Sequence, residues 1–230
     1  MYSYVGAPDE TSTPLPMYLY DDNPFNDVYY LLNRDVLFDR LKEVYEYSHT
    51  TPYAPGEDRR DDLYAWGSLY EYGEEKVLNT LDVYREPDVM KPADLYEKNA
   101  LDNLEKNLIS IIRAHPETDF ILFIPPYSEL EWYNMYLRGH LDFVLYIKEI
   151  CAERLLELPN VTLYDFNTRE EWVRDLRYYK DYSHYSPEIN DAIAQAIANG
   201  ENRVRDIYDI YEHNDLICAW VDEIYDRYHQ

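Results

Sequence analysis

Residues 119–124, Asp-Phe-Ile-Leu-Phe-Ile, constrain the fold more than any other stretch of this chain. The apolar run is too short for a helix and lacks the alternation of a strand with one face in water. It predicts a strand buried on both faces, the environment of a parallel sheet covered by helices. The flanking sequence agrees. Pro92-Ala93-Asp94 opens a helical stretch with Leu101, Leu104, Leu108, Ile111 and Ile112 at helical spacing, and Pro116 closes it. After the run, Pro125-Pro126-Tyr127-Ser128 leads into a second helical region that reaches Leu158 and breaks near Gly139-His140. Its later half carries Leu141, Val144, Leu145, Ile147, Cys151 and Leu155 on the buried side. Pro159-Asn160 ends it, and Val161-Thr162-Leu163-Tyr164-Asp165 reads as the next strand. This order of helices and strands predicts an α/β domain: a three-layer, doubly wound, mostly parallel sheet of flavodoxin-like type.

In such sheets ligands sit beyond the carboxyl ends of the strands. That rule places Pro126, Tyr127, Ser128, Asp165 and Asn167 on one edge, together with the loop Tyr179-Lys180-Asp181-Tyr182-Ser183-His184-Tyr185. The loop precedes a helix with strong start signals: Ser186 as N-cap, Pro187 at the first helical position and Glu188 in the first turn. The helix carries Ala192, Ile193, Ala196 and Ile197 and stops near Asn199-Gly200. Asp181 and His184 are three residues apart, the spacing that lets a carboxylate accept from Nδ1–H and leave Nε2 as a base. The same spacing also suits an ordinary surface Asp–His hydrogen bond.

Tyr179 to Asn190, with Asn160-Val161-Thr162-Leu163-Tyr164-Asp165-Phe166 and Phe123-Ile124-Pro125-Pro126-Tyr127-Ser128, resembles the C-terminal half of SGNH/GDSL-type hydrolases. The similarity is to bacterial surface proteins related to polysaccharide O-acetyltransferases and esterases, and it spans residues 16–200. The resemblance implies that His184 is the base and Asp181 its orienting acid in a Ser-His-Asp triad. It further implies an ester hydrolase or O-acyltransferase acting on a cell-surface glycan or acylated small molecule, outside the cytoplasm, with no metal or organic cofactor. Its substrate edge includes Tyr127, Ser128 and Asn167.

The nucleophile departs from the family pattern. Relatives carry it at the end of the first strand, in a Gly-Asp-Ser or Gly-x-Ser context near the N-terminus, and no such Ser precedes Leu15 here. Ser68, in Ala65-Trp66-Gly67-Ser68, and Ser128 are the weak candidates that remain. The expectation is that the first strand has been lost, with Met1 an internal start. A chain lacking its nucleophile suits an alternative role, as an inactive glycan-binding or assembly component or a truncated gene product.

Composition bounds the rest. The net charge of −25 argues against nucleic-acid partners, because a phosphate backbone would be repelled. Hydrophobic residues at 46% are enough for a sizeable core in 230 residues, read as a single α/β domain. The 27 tyrosines suit half-buried positions, and stacking on sugar rings is a second use. Cys151 and Cys218 fall inside helices and read as small hydrophobes rather than ligands. No stretch is long and apolar enough to span a bilayer, and no export signal or anchor is visible.

Around the core, residues 1–24 read as an extended arm in which Met17-Tyr18-Leu19-Tyr20 can pair as a short strand. Asp21 to Asp27 is acidic but lacks the Gly and distal Glu of a calcium loop, so it reads as a helix start. Asn33 begins a helix to about Tyr47. Residues 48–75 form a lid-like insertion, with Trp66 as its anchor or as a stacking platform. The α/β core occupies 92–200, and 201–230 form one or two acidic helices, with Asn214 capping the last. Ile207, Ile210, Tyr211, Leu216, Ile217, Trp220 and Ile224 form their apolar stripe.

Overall fold

The structure, a computed structural model, describes residues 41–50, 70–81, 86–88 and 93–229, with Asn23, Phe25 and Phe38 besides. The chain forms two compact units. The unit Asp9–Trp66 contains helix α1 (Leu41–Thr50). The arm, the acidic Asp21 segment apart from Asn23 and Phe25, the start of the Asn33 helix, Trp66 and Ser68 lie outside the described residues. So does most of the 48–75 insertion, although its first residues, to Thr50, continue α1.

The larger unit holds the sheet. It opens with α2 (Glu74–Leu78), followed by a long helical rod built of α3 (Ala93–Leu104), a π-helical stretch (Glu105–Ile109) and α4 (Ser110–Ala114). Pro116 follows the rod, as its lack of an N–H requires. Strand β1 (Phe120–Ile124) comes next, then α5 (Glu129–Leu137), α6 (Leu141–Leu156) and β2 (Val161–Asp165). The strands pair in parallel, with Phe120 opposite Val161 and Ile124 opposite Asp165. The break between α5 and α6 falls where the sequence places it. Gly139 takes φ 71° there, a left-handed conformation that costs glycine little. Asn160 fastens the start of β2, its Nδ2 donating to the carbonyls of His115 (3.1 Å) and Thr118 (3.0 Å).

The chain continues through α7 (Glu170–Val173), a 3₁₀ turn (Leu176–Tyr178), α8 (Pro187–Asn199) and α9 (Ile207–His229). Helices cover both faces of β2. On one side Leu163 packs with Ala152 of α6 and Ile210 of α9. On the other, Tyr164 packs with Ile189, Ile193 and Ala196 of α8. β1 differs from the expectation of burial on both faces. Its Ile121 and Phe123 are 56% and 44% exposed, because among the described residues α8 lies over β2 and leaves that face of β1 partly open. The described residues thus form a mixed α/β unit around a two-stranded parallel sheet.

The last segment is one helix of 23 residues, the first of the two expected alternatives, and it corrects the reading of Asn214, which sits within it. Asn214 is buried, and its Nδ2 donates to Glu149 Oε1 at 2.8 Å, so it pins α9 to α6 instead of capping anything. Ile210, Ile217, Trp220, Val221 and Ile224 form the buried stripe, whereas Tyr211 and Leu216 face solvent.

A candidate Asp–His site

The Asp181–His184 loop is a tight reversal closed by backbone bonds. Tyr179 and Tyr185 form an antiparallel bridge, Lys180 N–H donates to the His184 carbonyl (3.1 Å), and Ser186 N–H donates to the Tyr178 carbonyl (2.7 Å). Within it Asp181 accepts from the backbone N–H groups of Ser183 (3.0 Å) and His184 (2.9 Å), the Asx-type pattern that short acidic side chains favour in turns. The remaining acceptor capacity meets the imidazole. His184 Nδ1 lies 2.8 Å from both carboxylate oxygens.

These contacts fix the tautomer. An ionised carboxylate only accepts, so the shared proton is on Nδ1 and the neutral ring presents its lone pair at Nε2. Burial alone would raise the Asp181 carboxyl, but the His184 side chain and the two backbone N–H groups outweigh it and hold the group below its ordinary value. The His184 side chain is 63% exposed, so Nε2 is open to a substrate from solution.

A chain of bonds ties this loop to the ends of the strands. Ser128, the N-cap of α5, is fully buried, and its Oγ accepts from Glu131 N–H while donating to the Tyr182 carbonyl at 2.7 Å. Ser128 N–H donates to the same carbonyl. Tyr127 N–H donates to Asn167 Oδ1 (3.3 Å), and the buried Tyr179 hydroxyl donates to the Pro126 carbonyl (2.8 Å). These bonds join Ser128 to Tyr182 of the loop and Tyr127 to Asn167. Ser128 serves the loop as a tether: its proton is committed to a carbonyl and not to His184.

Ser183 Oγ is 3.4 Å from His184 Nδ1, the nitrogen already bonded to Asp181. Among the described residues no hydroxyl is hydrogen-bonded to Nε2. Ser186 stands at the N-cap of α8, yet its buried hydroxyl makes no capping bond, and Pro187 at the first position sets the helix start instead.

Asp165 behaves differently from its neighbours on the edge. It turns inward, fully buried, where Lys148 Nζ (2.6 Å) and His213 Nδ1 (3.0 Å) meet its Oδ2, and Asn167 N–H (3.0 Å) bonds Oδ1. Burial would raise this carboxyl, but Lys148 and His213 more than offset it, so it stays ionised. Sequence reasoning missed Lys148 and His213. The signal was present, since a lysine among Val144, Leu145, Ile147, Ala152 and Leu155 on an apolar helix face needs a buried counter-charge.

Cys151 and Cys218 are free, and burial pushes the Cys151 thiol up to about 11, so it is an unreactive core side chain. Among the described residues no group of three or more His, Cys, Asp or Glu side chains is arranged to hold a metal ion. No described helix is long and apolar enough to cross a membrane. Comparison with protein-family models, with curated proteins and with solved structures gave no match.

Proposed function

We propose that this chain carries the acid–base half of an SGNH-like ester hydrolase or O-acyltransferase that acts on an acylated cell-surface glycan outside the cytoplasm. In this reading His184 takes the proton of an attacking hydroxyl at Nε2 and returns it to the leaving group. Asp181 holds the Nδ1–H tautomer and stabilises the imidazolium that forms. The observation that carries the reading is the Asp181 carboxylate, fixed by two backbone N–H groups and meeting His184 Nδ1 at 2.8 Å, with Nε2 left facing solvent. A parallel two-stranded sheet with helices on both faces of β2 is compatible with the three-layer SGNH arrangement that this reading implies.

One observation favours a second reading. The Ser128 hydroxyl is buried and bonded to Tyr182, and none of the described serines meets Nε2. An inactive glycan-binding or assembly component would keep the loop and lack the nucleophile. Labelling with a fluorophosphonate, which traps activated serines, separates the two. The enzyme reading predicts a single labelled serine whose modification slows at least about 100-fold in His184→Ala, the usual scale of a general base. Absence of labelling in the folded wild-type chain would give the binding reading the lead.

A further inference from the structure

The helical rod departs from α geometry at Glu105–Ile109, where it is π-helical. Its buried positions step from Leu104 to Ile109 and only then to Ile112. A continuous α-helix would bury Leu108, one turn after Leu104, but the wider turn leaves Leu108 half-buried. Turns of this kind are rare and recur at functional sites.

Leu108 borders a cavity of about 400 Å³ between the rod, α6 and β1, within the range of small-molecule sites. No residue of the Asp181–His184 loop lines it. Along α6 the lining runs from Ile147 to Leu155, about 12 Å of helix, so the space is a trough. Spread over that length, the volume gives a bore about 6 Å across, which suits an extended chain better than a compact ring system. The walls are apolar. Leu108 of the rod, Leu122 of β1 and Cys151 of α6 each keep part of their surface unburied, so a guest touching them removes apolar area from water on three sides at once. The one charged residue in the lining is Lys148, and its ammonium already meets the Asp165 carboxylate at 2.6 Å. The cavity therefore offers no uncompensated charge to an ionic ligand, and a net charge of −25 opposes an anion further.

We propose that this trough binds an uncharged molecule through a straight alkyl chain of medium length. The site stands independently of the Asp181–His184 chemistry.

The test is titration of the full chain with 1-butanol, 1-hexanol, 1-octanol and sodium octanoate, followed through the side-chain methyl resonances. The site predicts saturable shifts at Leu108, Leu122 and Leu155. Affinity should rise about fourfold per added methylene, as burial of each CH₂ requires, and level off once the chain fills the trough. Octanoate at pH ~8 should bind at least about tenfold more weakly than 1-octanol, because its carboxylate finds no free cation. Leu108→Trp, which fills the trough from the rod side, should weaken 1-hexanol at least about tenfold. Leu216→Trp, on the exposed side of α9, should leave it unchanged. The wild-type shifts decide the case even where Leu108→Trp fails to fold. Absence of saturation, or shifts confined to exposed residues such as Ile121, would overturn the proposal. So would 1-hexanol binding unaltered in folded Leu108→Trp, or octanoate binding as tightly as 1-octanol.

Discussion

Glu131 shows how strongly single side chains around the loop are conditioned by their surroundings. It stands in the first turn of α5, its N–H bonded to Ser128 Oγ. Burial pushes its carboxyl up to about 7, with Asn134 and Arg138 opposing and the Asp181 charge adding to the rise. From its ordinary value of 4.5 up to about 7, the folded chain keeps a proton that the unfolded chain has released. Stability from this group therefore falls as pH rises through that window. Glu131→Gln, which keeps the shape and removes the titration, should stabilise the fold by about 1–2 kcal/mol at pH ~8 and leave it nearly unchanged at pH ~4. Urea denaturation at the two pH values measures this, and equal effects at both would show that Glu131 titrates normally. Ser128 and Asp165 make a related point. Both stand on the strand-end edge predicted from sequence, but one is spent tethering the Tyr182 carbonyl and the other is drawn inward by Lys148.

At the level of elements, the two strands look alike in sequence and are buried differently. Leu163 of β2 is 3% exposed, with helices over both faces of its strand, while Ile121 of β1 is 56% exposed. Leu163→Ala should cost about 2–5 kcal/mol, the range for an aliphatic residue cut to Ala in a packed core. Ile121→Thr should stay within about 0.5 kcal/mol of wild type. Chemical denaturation of both variants checks the asymmetry, and a large loss at Ile121 would mean that its face is covered. This difference also shows where the sequence was legible. The strands, the break at Gly139 and the start and stop of α8 followed from local signals: apolar runs, a left-handed glycine and Pro187. Burial of the outer face of β1 was misjudged because a run of apolar residues reports what a strand tolerates, whereas its covering depends on where α8 lands. Asn214 was misread for a like reason. Its type favours caps, but its partner is Glu149, 65 residues away in the chain. The Asp181–His184 contact was legible because both groups lie in one turn. The Lys148–Asp165–His213 cluster draws on three separate elements, and only the out-of-place lysine hinted at it.

For the molecule as a whole, a net charge of −25 surrounds a site that needs an imidazole able to gain and lose a proton. That field favours neutral or cationic substrates and disfavours polyanions. If Asp181 and His184 form a working base, the purified wild-type chain should hydrolyse p-nitrophenyl acetate, with turnover that falls at least about 100-fold in His184→Ala. Asp181→Asn should fall comparably, because the amide no longer fixes the Nδ1–H tautomer. Hydrolysis no faster than that of folded His184→Ala would contradict the account and leave the loop as a structural turn in a binding protein.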